Sequence, residues 1–236
     1  MNNKIGIFDS GIGGTTILNE LRNLLPSESF IYYADSKNNP YGEKSDEELF
    51  KIVSDVVNIL LSKNVKLIVI ACNTATTRCI KLLREKYPYM IFVGTEPAIK
   101  VACDNDYKNT LVMATPGTIN SERTHELVIK NQKKDQNITL LPCDGLANAI
   151  ENNNNDLIDK LLKKLLSQYF DKNIDSIVLG CTHYPLIKDK IQSLFPNAVL
   201  IDGNRGVSNQ VKFKLEENNL LNLTKIIGSV EFIYNK

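Results

Sequence analysis

The stretches LIVIACNTAT (67–76) and SIVLGCTHYP (176–185) decide the fold of this 236-residue chain. Each consists of a run of apolar residues followed by a small residue, a cysteine and a short polar turn. A second pair, IFDSGIGG (7–14) and MATPGTIN (113–120), repeats the order of strand, small-residue turn and helix at a similar spacing. Two half-proteins of similar plan therefore explain the chain better than one continuous sheet.

Nine short apolar runs alternate with longer amphipathic segments along the chain. The runs are continuously apolar rather than alternating, which is typical of parallel strands covered on both faces. The helical segments carry start signals such as the capping box formed by Ser45 and Glu48. This pattern predicts open parallel α/β sheets. The predicted strands are 4–8, 30–34, 65–71, 90–94, 110–115, 138–143, 176–180, 199–202 and 231–234.

The composition excludes several classes of protein. Hydrophobic residues make up 43% and charged residues 23%, the usual globular mixture, so disorder, collagen and coiled coil are excluded. With 28 Lys and Arg against 27 Asp and Glu, the chain has no footprint for nucleic acid or an anionic membrane. No apolar run approaches the roughly 20 residues that span a bilayer, and we expect no signal peptide. We expect a soluble cytoplasmic protein whose five cysteines are thiols.

Two of these thiols are candidates for chemistry. Cys72 and Cys181 each stand where a predicted strand gives way to a predicted helix, and a helix N-terminus lowers a thiol pKa and suits an anion. A lone cysteine there is more often a small buried hydrophobe. Two at repeat-related positions favour catalysis instead. Two thiols on opposite faces of a carbon could move a proton, one as base and the other as acid.

Each thiol needs a group that manages its proton. Asp9 is the candidate beside Cys72, although it could also cap its own turn. His183 is the candidate beside Cys181, the alternative being a packed, hydrogen-bonded imidazole. Cys79, seven residues after Cys72, is interpreted as core.

Other interpretations of these motifs are weaker. The DSGIGG loop resembles a phosphate-binding loop but matches neither established glycine pattern. Cys181 and His183 could ligate a metal, yet no third ligand stands at a plausible spacing. No lysine lies in a motif that indicates a pyridoxal Schiff base. We therefore expect neither cofactor nor metal.

Four blocks together resemble the cofactor-independent aspartate/glutamate racemase family. They are FDSGIGGTTILNELRNLLP (8–26), YYADSKNNPYG (32–42), VIACNTATT (69–77) and IVLGCTHYPLI (177–187). The resemblance implies interconversion of L- and D-glutamate, which supplies D-glutamate for peptidoglycan, and a homodimer. The rival hypotheses are an aspartate racemase, another two-cysteine member such as a hydantoin racemase or a decarboxylase, and a phosphate- or nucleotide-binding module that uses DSGIGG.

The resemblance also assigns roles to individual residues. It makes Cys72 and Cys181 the acid/base thiols, assisted by Asp9 and His183, and places a family glutamate at Glu151 near the second thiol. That last match has a weaker context, and a surface-helix role for Glu151 stays open. The residues placed around the substrate are Asp9, Ser10, Tyr41, Gly42, Asn73, Thr74, Thr182 and His183.

The resemblance further implies two similar α/β domains that face each other across an active-site cleft. The first would comprise residues 1–97 and about 207–236, and the second residues 98–206. The chain departs from the family pattern at Asp202-Gly203-Asn204 and in its short C-terminus. Within this family the cysteine-threonine pair of the second block is followed by His in glutamate racemases and commonly by Glu in aspartate racemases. His183 therefore favours glutamate.

Overall fold

The computed structural model describes residues 4–235, which form two compact α/β units. One unit contains the residues up to Thr95 together with those from Asn204 onward, and the other is Glu96–Gly203. The strands are β1 (Ile5–Asp9), β2 (Phe30–Ala34), β3 (Leu67–Ile70), β4 (Phe92–Gly94), β5 (Asn109–Ala114), β6 (Asn137–Pro142), β7 (Ser176–Leu179), β8 (Val199–Ile201) and β9 (Val230–Tyr234).

Helices connect most of these strands. The α-helices are α1 (Thr15–Leu24), α2 (Asp46–Ser62), α3 (Asn73–Lys86), α4 (Ile99–Asp104), α5 (Pro116–Ile119), α6 (Glu122–Asn131), α7 (Leu146–Glu151), α8 (Asn155–Leu166), α9 (Lys188–Leu194) and α10 (Asn204–Glu217). In the described chain, 4–235, no helix is long and apolar enough to cross a membrane.

Each unit contains one parallel sheet. The first sheet has the order β4-β3-β1-β2-β9 and the second the order β6-β5-β7-β8, with parallel pairing throughout. Read from its other end, the second sheet is β8-β7-β5-β6, the plan of the first four strands of the first sheet. The prediction of two similar parallel α/β units is confirmed. The strand β9 is an addition beside β2.

The strands are continuously apolar because helices cover both faces of each sheet. In the first unit, α2 and α3 pack on one face through Leu49, Val53 and Leu83, and α1 and α10 pack on the other. All five residues of β1 and of β2 are buried. The nine predicted strands are all present, and each end lies within two residues of its predicted position.

One hydrogen bond of the predicted capping box of α2 is present, the one that the N-cap residue Ser45 accepts. The Glu48 N–H donates to Ser45 Oγ at 3.2 Å, which satisfies one of the free donors that begin every helix. Asp46, Glu47 and Glu48 also place negative charge at the positive end of the helix dipole. Local sequence thus fixes where α2 begins.

Candidate active site

In the first unit, Cys72 is the N-cap of α3, as its position after a buried strand predicts. Its backbone is extended (φ −115°, ψ 121°), and its carbonyl accepts from the Thr76 N–H at 2.9 Å. The residue is only 6% exposed. The thiol therefore lies at the positive end of a 14-residue helix, where a thiolate is stabilised. Asn73 and Thr74, the first residues of α3, are buried beside it in the chain.

Asp9 ends β1 and is fully buried. Its Oδ2 accepts from the Gly14 N–H at 2.7 Å, so the carboxylate has the turn-capping role that the sequence left open. Ser10, the next residue, is also buried. The capping role and a role in proton transfer are compatible, because a carboxylate has two oxygens and several acceptor positions.

Gly14 permits a close approach in this turn. A Cβ at this position would lie 2.9 Å from Asp9 Cβ, from Ala71 Cβ and from the Tyr32 hydroxyl. Side-chain atoms essentially never come so close, so only glycine fits without a shift. The absence of a side chain brings the start of α1 against Asp9 and against the residue that precedes Cys72.

The third part of the candidate site in this unit is the 3₁₀ turn Tyr41–Glu43. The Tyr41 hydroxyl donates to Asp35 Oδ2 at 2.7 Å. Burial raises the pKa of Tyr41 well above its usual value, and the charges of Asp35, Cys72 and Asp9 raise it further. Tyr41 thus remains a protonated donor close enough to Cys72 and Asp9 to respond to their charge. Gly42, next in the turn, is half-buried.

Asp35 is a buried polar centre that the sequence reasoning did not single out. Besides Tyr41, it accepts hydrogen bonds from Asn38 Nδ2 at 3.0 Å and from Asn235 Nδ2 at 2.6 Å. Asp35 directly follows the fully buried strand β2, much as Cys72 and Cys181 follow strands, and this position could have identified it as a candidate. Its partner Asn235 lies 200 residues away in the chain, so sequence spacing could not reveal the cluster.

In the second unit, Cys181 follows β7 but does not cap an α-helix, so that prediction is wrong. A turn leads into the 3₁₀ helix Tyr184–Ile187, and α9 begins only at Lys188. The reason is Pro185. An α-helix capped by Cys181 would need an N–H at residue 185 to donate to the Cys181 carbonyl, and proline has none. The Tyr184 N–H donates there instead, at 3.1 Å, and closes a tighter turn.

At Cys181, two linked side chains stand in place of a helix N-terminus. His183 Nδ1 lies 3.8 Å from Cys181 Sγ, and His183 Nε2 lies 2.7 Å from Glu151 Oε2. Cys181 is 6% and His183 1% exposed. With Nε2–H donated to the carboxylate, a neutral imidazole presents Nδ1 as acceptor to the thiol. Glu151, at the end of α7, is thereby joined to the second thiol rather than lying on a free surface.

Thr182 is buried between these two residues in the chain. Cys79, interpreted as core, and Cys143 are almost inaccessible. Burial raises the pKa of Cys79 and of Cys143 from about 9 to about 12, so both remain neutral thiols. The charge of Cys181 adds to the rise at Cys143, which places this inert thiol near the candidate catalytic one.

Three N–H groups at the end of the DSGIGG loop and the start of α1 already have acceptors. The Gly14 N–H donates to Asp9, the Thr15 N–H to the Ile12 carbonyl at 3.0 Å and the Thr16 N–H to the Gly13 carbonyl at 3.2 Å. A phosphate would need these donors for itself. The geometry therefore disfavours the binding-module alternative. Within residues 4–235, no three His, Cys, Asp or Glu side chains are grouped to hold a metal ion.

Comparisons with known proteins agree with this geometry. The family model described as "Asp/Glu/Hydantoin racemase" matches residues 15–209. A glutamate racemase of Clostridium botulinum is 41% identical over 236 residues, covering 98% of this chain and 91% of the relative.

Solved structures give the same answer. A glutamate racemase from Francisella tularensis in complex with D-glutamate is 33% identical, with a TM-score of 0.85 over 100% of this chain and 89% of that one. The Escherichia coli glutamate racemase in complex with L-glutamate and the activator UDP-MurNAc-ala is 27% identical, with a TM-score of 0.85 over 98% of each chain. The relatives support an amino-acid racemase. With its two cysteine turns and a family model matched over most of its length, the chain belongs to the Asp/Glu/Hydantoin racemase family.

Proposed function

We propose that this chain interconverts L- and D-glutamate by proton transfer at the α-carbon, with Cys72 and Cys181 as the two bases and no cofactor. The observation that carries the proposal is the chain from Cys181 through His183 to Glu151, with spacings of 3.8 and 2.7 Å. Such an arrangement accepts and returns a thiol proton, which a structural cysteine does not need. Relatives named glutamate racemase at about 40% identity support the substrate.

The proposed reaction has two balanced proton transfers. One cysteine thiolate takes the α-proton and becomes a thiol, which leaves a carbanion at the α-carbon. The other cysteine thiol donates its proton to the opposite face of that carbon and becomes a thiolate. By the stereochemistry that the family resemblance implies, Cys72 takes the proton from D-glutamate and Cys181 takes it from L-glutamate.

The surroundings of the two thiols suit these steps differently. The N-terminus of α3 stabilises the Cys72 thiolate, since its dipole and free N–H groups favour negative charge. On the other side, His183 accepts the Cys181 proton, and the Glu151 carboxylate stabilises the imidazolium that forms. The two units thus handle the thiol proton by different means, a helix N-terminus at Cys72 and the imidazole–carboxylate pair at Cys181.

Polar groups without a full cationic charge would hold the substrate. We assign its carboxylates to hydroxyls, amides and backbone N–H groups, and its α-ammonium to Asp9, whose carboxylate ends β1. The contributing residues are Ser10, Tyr41, Gly42, Asn73, Thr74 and Thr182.

The amino acid preferred as substrate is the test of this proposal. We expect kcat/KM for glutamate to exceed that for aspartate by at least about tenfold, since one methylene in a pocket is worth about 10–200-fold. Chiral chromatography of L-glutamate and L-aspartate incubated with the pure protein measures this ratio. A preference for aspartate would favour an aspartate racemase, and no turnover of either would refute the proposal.

Several wider parts of the proposal follow from the family resemblance. We propose a homodimeric cytoplasmic enzyme that supplies D-glutamate for peptidoglycan, with residues 1–97 and about 207–236 as one domain and 98–206 as the other. Growth of a D-glutamate-requiring bacterium that carries this chain tests the role in the cell. Sedimentation equilibrium tests the dimer.

A further inference from the structure

Arg78 makes an unusual set of contacts on α3, six residues after Cys72. Its Nε donates to Asp46 Oδ1 at 2.6 Å, one Nη donates to the Lys44 carbonyl at 2.7 Å, and the other reaches the Tyr41 carbonyl at 3.4 Å. The side chain is only 13% exposed. One guanidinium thus ties the helix that begins at Cys72 to the carbonyls of the turn around Tyr41 and to the first residue of α2.

These contacts reinforce the orientation of one peptide group, whose Tyr41 carbonyl also accepts from the Lys44 N–H at 3.3 Å within the turn. Tyr41 and Gly42 share a trans peptide, in which the C=O and the N–H point in opposite directions. With the Tyr41 carbonyl turned toward Arg78, the Gly42 N–H points away from the guanidinium. The first N–H groups of a helical turn have no partner within that turn, so the Gly42 N–H is available to an external acceptor.

We infer that Arg78 is a positioning residue for substrate binding, which holds the Tyr41–Gly42 peptide with its N–H directed at a substrate carboxylate. The inference rests on the proposed function, in which Tyr41 and Gly42 contact the substrate. A donor held in place before binding costs less ordering entropy when the ligand arrives. Arg78 touches neither substrate nor thiol and acts through the turn alone.

Only arginine can make this set of contacts from one side chain. Its planar guanidinium presents five N–H donors in a fixed fork, whereas a lysine ammonium is a single point charge on a flexible stem. Arg84 on the same helix offers a matched control. Its Nη2 donates to the Phe92 carbonyl at 3.0 Å, so it ties α3 to β4 and not to the turn.

The test compares Arg78→Lys with Arg84→Lys in the full-length chain. For Arg78→Lys we expect KM to rise at least about fivefold for both enantiomers while kcat changes less than about twofold, the pattern of lost binding that is uniform along the reaction. Arg84→Lys should leave both constants equal to those of the parent within the error of the measurement.

A second variant keeps the inference testable if Arg78→Lys does not fold. Asp46, 82% exposed at its side chain, is Arg78's charged partner, so Asp46→Asn should raise KM by about twofold without affecting folding. An unchanged KM in Arg78→Lys, or in Asp46→Asn where the former does not fold, overturns the inference and leaves the racemase proposal intact. A fall in kcat with constant KM also overturns it. A parent protein without glutamate racemase activity overturns both.

Discussion

The two cysteine turns begin alike and end differently. Cys72 and Cys181 both follow a buried parallel strand, and their two strands occupy equivalent positions in the two sheets. Cys72 caps a 14-residue helix, whereas Cys181 leads into a 3₁₀ turn of four residues. The first thiol has a helix terminus beside it and the second has an imidazole that is bonded to a carboxylate.

One residue accounts for this divergence. Thr76 supplies the N–H that the Cys72 carbonyl accepts in the first turn of α3. The repeat-related position in the second unit is Pro185, which cannot donate and so prevents an α-helix from starting at Cys181. Cys181 therefore lacks a helix terminus, and in the proposed mechanism His183 with Glu151 manages its proton instead. A repeated turn can therefore keep its nucleophile while changing how the proton is managed.

The largest expected effect is loss of either thiol. Cys72→Ala and Cys181→Ala should each lower kcat/KM by at least about 10³-fold in both directions, because every turnover needs one acid and one base. Circular dichroism at one wavelength follows the conversion of either enantiomer. Cys79→Ala, on the same helix as Cys72, and Cys143→Ala are controls that should retain activity. A single active thiol would contradict the two-base assignment.

Heavy water sharpens the same comparison. With two bases, the early product should carry solvent deuterium while the recovered substrate stays largely protiated. Proton NMR of the α-position measures both. Substantial early label in the recovered substrate would indicate one exchanging base.

Loss of Glu151 or of Asp9, the two groups proposed to manage the thiol protons, should lower kcat more in one reaction direction than in the other, with opposite bias. Glu151→Gln should lower kcat by about 10–100-fold, more from L- to D-glutamate than in reverse, since Cys181 is the proposed base for the L-enantiomer. Asp9→Asn should show the reverse bias. The enantiomers have equal free energy, so kcat/KM must fall equally in both directions and the bias appears in kcat. Equal loss of kcat in both directions for both variants would show that the two groups do not serve separate thiols.

The close approach at Gly14 should have a smaller effect, on stability. Gly14→Ala should lower the free energy of unfolding by about 1–3 kcal/mol, because the added methyl overlaps Asp9, Ala71 and Tyr32. Gly206→Ala on α10, where no atom lies within 4 Å of the new methyl, should raise it by up to about 1 kcal/mol. Urea denaturation measures both. Equal effects would show that the turn relaxes around the methyl.

The last expected effect appears only at alkaline pH and concerns the two inert thiols. Burial raises the pKa of Cys79 and of Cys143 from about 9 to about 12, so above pH 9 the unfolded chain loses these protons while the folded chain keeps them. Between pH 9 and 12, each thiol then lowers the free energy of unfolding by at most about 1.4 kcal/mol per pH unit, the limit for the release of one proton. Cys79→Ala and Cys143→Ala should each make the unfolding free energy fall less steeply over this range. An unchanged slope would mean that these thiols ionise in the folded protein.

The sequence by itself determined the architecture and the reactive residues. Nine apolar runs became nine strands, and central strands buried on both faces, such as β1 and β3, must be continuously apolar, which the local sequence shows directly. The capping box placed the start of α2, since Ser45 and Glu48 act within one turn. The repeat identified Cys72 and Cys181 as a related pair.

Only the tertiary structure decided what surrounds each thiol. Glu151 meets His183 across 32 residues and Asn235 meets Asp35 across 200, and neither pairing leaves a periodic trace in the sequence. The bond of Arg78 to the Tyr41 carbonyl joins residues 37 apart and leaves no such trace either. Hydrophobic patterning involves residues that are close in the sequence. The partner of a polar side chain depends instead on which distant elements pack against it in the fold. The sequence therefore identified the two cysteines and named Asp9, His183 and Glu151 as candidate partners, and only the fold showed the contacts that join His183 to Cys181 and to Glu151.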